Sequence, residues 1–395
     1  MQEKRDFISI DQFSNEEIIE LFLVADRMSD LLKTSHGVLA GHIMRSLFLE
    51  PSTRTRLSFE AAMNRLGGRV ITMSDVQTSS IVKGESLADS VRTVASYADL
   101  IVLRHPLAGA ARLAADFSHV PVINAGDGGH EHPTQTLCDL YTLRTTRGRI
   151  EGLKVVLYGD LRHGRTTHSL AKALVRMGAD VLAIPVPGLE LPTYIVSELC
   201  QNEDIEVCES SLSGLDDALG GARSGTLFCH DPAHWGATGD RVDLENVSLD
   251  ALYVTRIQKE RLGEREASAD DLLPNVDTAF LSAPQFSDAV VLHPLPRLDE
   301  INPEVDSDPR GIYFHQAALG VPIRMALLAV LLGRETLRAT PSASQKPMSI
   351  CSDSTCLNKS CVMATEGDYL EQLTVRLAPD GAVRCGYCEG KLRAG

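Results

Sequence analysis

At 395 residues the chain is longer than one domain usually is, so two or three domains with ample buried cores are expected. It is 44% hydrophobic and 23% charged, an ordinary globular composition. Its 53 acidic and 38 basic residues give a formal net charge of -15, a field that repels nucleic acid and anionic membrane surfaces, so an anionic ligand must be held by local arginine and lysine clusters.

The opening residues Met1 to Phe7 carry no apolar signal-peptide core, and no uninterrupted apolar run approaches the roughly 18 residues of a membrane span, which points to a cytoplasmic protein. The run Ser46 to Pro51 leads into Ser52-Thr53-Arg54-Thr55-Arg56. Phe59, Ala62, Met63 and Leu66 then recur at helical spacing, and Gly67-Gly68 ends the pattern. A strand, a hydroxyl-rich turn and a helix are predicted. Backbone N–H groups at the helix start, three hydroxyls and a guanidinium suit a phosphate dianion. An ordinary N-cap beside a solvated arginine fits the same residues.

Short β-branched runs at 100–103, 120–123, 153–158, 180–184, 251–254 and 290–292 alternate with helical segments, the rhythm of α/β units with parallel sheets. Ligands gather at the carboxyl ends of such strands. Arg104-His105-Pro106 follows the first of these runs, and the glycine-rich turn Asn124 to His132 follows the second and opens a helix from Gln135 to Arg147. Neither a Ser/His/Asp order nor paired acids stand out, so nucleophilic and glycosidase chemistry gain no support. What accumulates is donors: Arg54, Arg104, His132, Gln135, Arg165 and Arg256. From Leu212 to Val247 the chain is rich in Gly, Asp and Ser with little periodicity, and reads as a surface insertion whose loop packs its own Trp235. Cys138 and Cys200, on predicted helices, read as small buried apolar residues.

Five of the nine cysteines lie in the last 45 residues, a clustering that favours a metal over disulfides in a reducing compartment. Cys351, Cys356 and Cys361 precede a predicted hairpin around Ala378-Pro379-Asp380-Gly381, and Cys385-Gly386-Tyr387-Cys388 follows it. Four thiolates suit tetrahedral Zn²⁺, although an Fe–S centre fits the same spacing. With so few apolar residues, such a unit should need its metal to fold. Residues 341–395 hold six basic and six acidic side chains, so they offer no basic face to a nucleic acid.

Seven ordered segments carry a family resemblance: Phe48 to Arg56, Lys83 to Ser86, Arg104 to Pro106, His132-Pro133-Thr134-Gln135, Gly159 to Thr166, Thr255 to Arg261 and His293 to Arg297. Together they resemble the aspartate carbamoyltransferase catalytic chain from residue 5 to residue 337, with 212–247 as the main departure. The resemblance implies an α/β fold of two lobes, each a parallel sheet flanked by helices. A carbamoyl phosphate domain would span 1–137, completed by a helix near 317–338, and an aspartate domain 138–316. A linker at 339–347 and a small β-rich zinc domain at 348–395 would follow.

The implied reaction moves the carbamoyl group of carbamoyl phosphate to the amine of L-aspartate, in de novo pyrimidine biosynthesis, without a catalytic cofactor. By position, Ser52, Thr53, Arg54 and Thr55 bind the phosphate. Thr55, Arg104 and His132 polarise the carbamoyl oxygen, and Gln135 meets the carbamoyl nitrogen. Arg165, Arg256 and Gln258 hold the aspartate carboxylates, while Leu295 and Pro296 present carbonyls to the amine. Ser79 and Lys83 match a loop that reaches a neighbouring subunit's site, which implies a homotrimer with shared active sites. Glu50 and Arg261 match contacts of lobe closure. Ornithine-using relatives carry a Cys where Pro294 stands, and a guanidinium at Arg256 would repel ornithine's ammonium, so aspartate is favoured.

The C-terminal segment resembles the zinc domain of the regulatory chain of the same enzyme, here fused. Cys351, Cys356, Cys385 and Cys388 fit its ligand set best, with Cys361 competing for the first pair. In that family the domain grips catalytic chains, so the fused copy is expected to join trimers. No counterpart of the regulatory nucleotide-binding domain is present in the sequence.

Overall fold

A computed structural model of the chain describes residues 4–32, 37–72, 84–201, 204–215, 223–239, 241–258, 275–339, 355–366, 374–377 and 381–393. The chain divides into two compact units, Met1–Cys138 with Leu319–Gly395, and Asp139–Ala318.

In the first unit the β-branched runs form four parallel strands, β1 (Ile43–Phe48), β2 (Arg69–Thr72), β3 (Leu100–His105) and β4 (Val122–Asp127), in the order β2-β1-β3-β4. Helices α1 (Asn15–Leu31), α2 (Thr53–Arg65), α3 (Leu87–Ala95) and α4 (Ala110–Phe117) flank them. α1 starts at a capping box in which Ser14 and Glu17 satisfy each other's backbone N–H groups, and the buried Glu17 carboxylate also pairs with Arg5 at 2.7 Å. α2 carries the face expected from its spacing: Phe59, Ala62, Met63 and Leu66 are wholly buried.

The second unit is built on β5 (Lys154–Gly159), β6 (Asp180–Pro185), β11 (Ala251–Thr255) and β12 (Val290–Leu292), all parallel, with α6 (Arg165–Arg176) and α7 (Thr193–Leu199) following β5 and β6. The sheet continues past β6 through β8 (Arg223–Cys229), β7 (Glu206–Ser213), β10 (Arg241–Asp243) and β9 (Ala237–Thr238), giving eight strands in the order β12-β11-β5-β6-β8-β7-β10-β9. The segment 212–247 is therefore more than a surface insertion. It supplies the outer strands β8, β9 and β10, β8 pairs antiparallel with β6 and β7, and Trp235 is buried in the unit's main core with Leu182, Leu227 and Val242. Its Nε1 donates to Asp180 at 2.8 Å. Short strands and frequent glycines hid the two-residue period from sequence reading.

The helices α5 (Pro133–Arg147) and α8 (Tyr313–Leu331) carry the boundaries between the units. α8 is long and apolar enough to span a membrane, with mean hydropathy 1.5, but 67% of that stretch is buried inside the fold, as in a core helix. Cys138 is buried on α5 as expected. Cys200, just past α7, is exposed instead, because α7 turns only Ile195 and Leu199 inward.

The C-terminal module, expected as a separate unit, belongs to the first. Its strands pair antiparallel as β13 (Thr355–Cys356) with β16 (Leu392–Arg393), and β14 (Val375–Leu377) with β15 (Val383–Cys385), the expected hairpin. Ala108 N donates to Ser360 O, and Val362 N to Ala108 O, both at 2.9 Å. Glu366 Oε1 accepts from Leu87 N, also at 2.9 Å. Tyr387 covers Gly109, where an added Cβ would lie 2.6 Å from the Tyr387 Cβ, so only glycine fits. Cys361, Val362 and Tyr387 share one core with Leu87, Val91 and Ala111.

Candidate active site and candidate metal centre

In the first unit the expected donors sit at the carboxyl ends of three neighbouring strands. Ser52 to Thr55 follow β1 and open α2, Arg104 lies within β3 opposite Phe48 of β1, and His132 and Gln135 open α5 after β4. Ser52 is the N-cap residue of α2, yet its hydroxyl makes no capping bond, so the ordinary role of a serine there is not taken up. Thr55 is buried, and Arg54 beside it is exposed. Arg104 is held by Glu50 at 3.0 Å and by the Ala125 carbonyl at 3.3 Å. Glu50 thus has a described partner within its own unit.

The turn carrying His132 is organised by a residue that sequence reading passed over. Asp127, buried at the end of β4, accepts from Gly109 N at 2.8 Å, Asn124 Nδ2 at 3.0 Å, Glu131 N at 3.3 Å and His130 Nδ1 at 3.4 Å. His132 O then receives Gln135 N and Thr136 N, and its Nδ1 lies 3.4 Å from Thr134 Oγ1. His105 accepts from Leu107 N through Nδ1 at 3.1 Å. Burial pushes this imidazole down to about 4, against the pull of Asp127 and Glu50, so it is a neutral structural acceptor.

In the second unit the residues expected to hold aspartate again follow adjacent strands. Arg165 opens α6 after β5, Arg256 and Gln258 follow β11, and Leu295 and Pro296 follow β12. Gly159 allows the close approach of β5 and β11: at φ +121°, a Cβ there would lie 2.3 Å from Thr255 O. Asp160 ties the two loops together, accepting from His163 N at 2.9 Å and Gln258 N at 3.1 Å. Burial alone would raise the Asp160 carboxyl, but the hydrogen bonds from His163 and Gln258 win and hold it below the usual range. Gln258 Nε2 donates to His163 O at 2.6 Å. Arg165, its side chain largely buried, is fixed through its own N–H to His163 O at 2.9 Å.

The Leu295–Pro296 peptide is cis, and Leu295 takes a left-handed φ of 54°. His293 supports this turn: Nδ1 accepts from Leu295 N at 2.7 Å while Nε2 meets Glu300 Oε1 at 2.8 Å. Asp160 and Glu300 are supports that sequence reading did not single out. Asp160 left a faint signal, an acid directly after a strand-closing glycine, whereas Glu300 left none.

Ser79, Lys83, Arg261 and Cys351 lie outside the described residues. The thiols that come together are Cys356, Cys361, Cys385 and Cys388, all within 4.8 Å of one another. Cys361, the expected competitor of Cys351, is one of the four thiols of the described cluster, and it is fully buried beside the bridge to Ala108. Cys356 and Cys388 sulfurs are 3.5 Å apart and those of Cys361 and Cys385 3.9 Å. Sulfurs at the corners of a tetrahedron with ~2.3 Å metal bonds are about 3.8 Å apart, so this donor set fits Zn²⁺ and is too wide for disulfides.

Over most of its length the chain is similar to known proteins. A family model described as aspartate/ornithine carbamoyltransferase, carbamoyl-P binding domain, matches residues 5–145, and its counterpart for the Asp/Orn binding domain matches 241–331. The aspartate carbamoyltransferase catalytic subunit of Thermococcus onnurineus is 46% identical over 334 residues, covering 83% of this chain and 97% of that protein. The solved catalytic subunit of M. jannaschii aspartate transcarbamoylase superposes with a TM-score of 0.66 at 41% identity, covering 83% of this chain and 98% of that one. The Trypanosoma cruzi aspartate transcarbamoylase in complex with carbamoyl phosphate and aspartate gives 0.67 at 34% identity, with 82% and 95% covered. Fold and donor set define the class, the carbamoyltransferases. Within it, the chain belongs to the aspartate carbamoyltransferase catalytic subunit family.

Proposed function

We propose that this aspartate carbamoyltransferase joins carbamoyl phosphate to L-aspartate through fixed charge and alignment, with no covalent intermediate. The amine attacks an sp² carbon, negative charge grows on the carbonyl oxygen, and phosphate departs with its bonding pair. Donors preorganised at those two points lower the barrier. Ser52, Thr53, Arg54 and Thr55 take the phosphate, aided by Ser79. Thr55, Arg104 and His132 stabilise the oxygen, and Gln135 meets the carbamoyl nitrogen. Arg165, Arg256 and Gln258 receive the aspartate carboxylates, with the Leu295 and Pro296 carbonyls toward the amine. Lys83 adds positive charge from a neighbouring subunit, which makes the working unit a homotrimer. The product is a pyrimidine precursor.

The observation that carries this reading is the gathering of the first-unit donors at the ends of β1, β3 and β4, beside a helix start that its serine leaves uncapped. The Trypanosoma cruzi relative solved with both substrates supports the same pair of ligands here. The test is phosphate release from carbamoyl phosphate with aspartate, with ornithine and with no amine. Release that depends on aspartate is expected, and release equally fast with ornithine or without an amine would overturn the reading. Light scattering should give the mass of about three chains or a multiple of it.

The four thiols would hold one Zn²⁺ per chain, whose role is to cross-link the C-terminal module. No catalytic step passes through it. We read the module as the fused counterpart of a regulatory-chain zinc domain, and its docking on α3, α4 and the end of β3 of its own chain supports a bracing role.

A further inference from the structure

Three segments that lead to expected catalytic residues are touched by the C-terminal module. Leu87 lies just past the segment of Lys83, Ala108 just past Arg104, and His130 just before His132. The third contact is made by side chains. His130 turns Nδ1 to Asp127 Oδ2 at 3.4 Å and Nε2 to Glu389 Oε2 at 3.6 Å, the latter an ion-pair distance. Asp127 is the residue that gathers Asn124, Gly109 and Glu131 around the turn.

Glu389 follows directly on Cys388 and sits in a left-handed conformation, φ 58°, which glycine or asparagine would adopt at lower cost. Its backbone N–H is tied to Cys385 O at 2.9 Å, and its carboxylate also receives Arg376. An outlier kept in place by surrounding bonds suggests that the side chain has a task. We propose that Glu389 is a positioning residue for carbamoyl transfer: from the thiol cluster it anchors His130, and through Asp127 it sets the turn that aims His132 and Gln135. The inference rests on the placement of those two residues at the carbamoyl group.

The metal-loaded full-length enzyme tests it with Glu389→Gln, which keeps size and removes charge, and with His130→Gln, which lies outside the module. Misalignment of about 1 Å can cost up to 10²-fold in rate, so each variant should lose about tenfold in kcat. Each should also raise the KM for carbamoyl phosphate severalfold while leaving the KM for aspartate and the zinc content unchanged. A smaller folded fraction would move neither KM, which separates positioning from simple destabilisation. The double variant should be no worse than the poorer single one, since both break one path. Kinetics within twofold of the parent for zinc-loaded His130→Gln, or losses that multiply in the double variant, would overturn the proposal. An inactive parent would instead defeat the proposed function itself.

Discussion

Arg104 shows how one side chain is prepared before any ligand arrives. Glu50 and the Ala125 carbonyl hold its guanidinium, which in the proposed role would leave little to reorganise as charge develops. Arg104→Ala should lower kcat/KM by about 10² to 10³ with the fold intact, and steady-state rates beside a circular dichroism spectrum would check this. His105, its neighbour, has a different fate. Folding lowers it from 6.5 to about 4, so between those values the unfolded chain binds more protons. Stability should therefore fall as pH drops from 6.5 toward 4, by on the order of 3 kcal/mol when complete. Urea midpoints at pH 7 and 4.5 should differ less for His105→Gln, whose amide oxygen can still accept from Leu107 N. Equal pH slopes in parent and variant would contradict the buried neutral imidazole.

Among the elements, the strands that lead to the site were readable because their apolar runs are contiguous. Those of β3, β5, β6, β11 and β12 begin within a residue of where the runs predict. The outer half of the second sheet was not readable. β7 and β8 pair antiparallel over seven residue pairs, but exposed and buried positions in β7 do not alternate cleanly, and the strand order depends on partners distant in sequence. Trp235 anchors this extension. Trp235→Ala should cost about 3 to 5 kcal/mol, the range for deleting a buried large aromatic, and Trp235→Phe less. Because the chain has one Trp, unfolding should be followed by circular dichroism. A cost under 1 kcal/mol for the alanine variant would mean that the extension is not part of the cooperative core.

For the molecule as a whole, the C-terminal module decides how much of the chain responds to metal. Cys361→Ser should abolish stoichiometric zinc, whereas Cys351→Ser should keep about one zinc per chain, as atomic absorption would show. The reverse result would support the pairing favoured from the sequence. A strong chelator should melt the module, since its two-stranded pairs are short and the four thiols would be the cross-link between them.

The family, the strand ends that carry the donors and the helix face of α2 were legible because each rests on residues adjacent in sequence or one helical turn apart, where spacing alone dictates geometry. Tertiary structure decided that Cys361 lies with Cys356, Cys385 and Cys388, how Trp235 closes the second core and that Glu389 meets His130. Those outcomes depend on side chains brought together from distant segments, and the free energy of such contacts comes from shared burial and opposed charge, which no local spacing encodes.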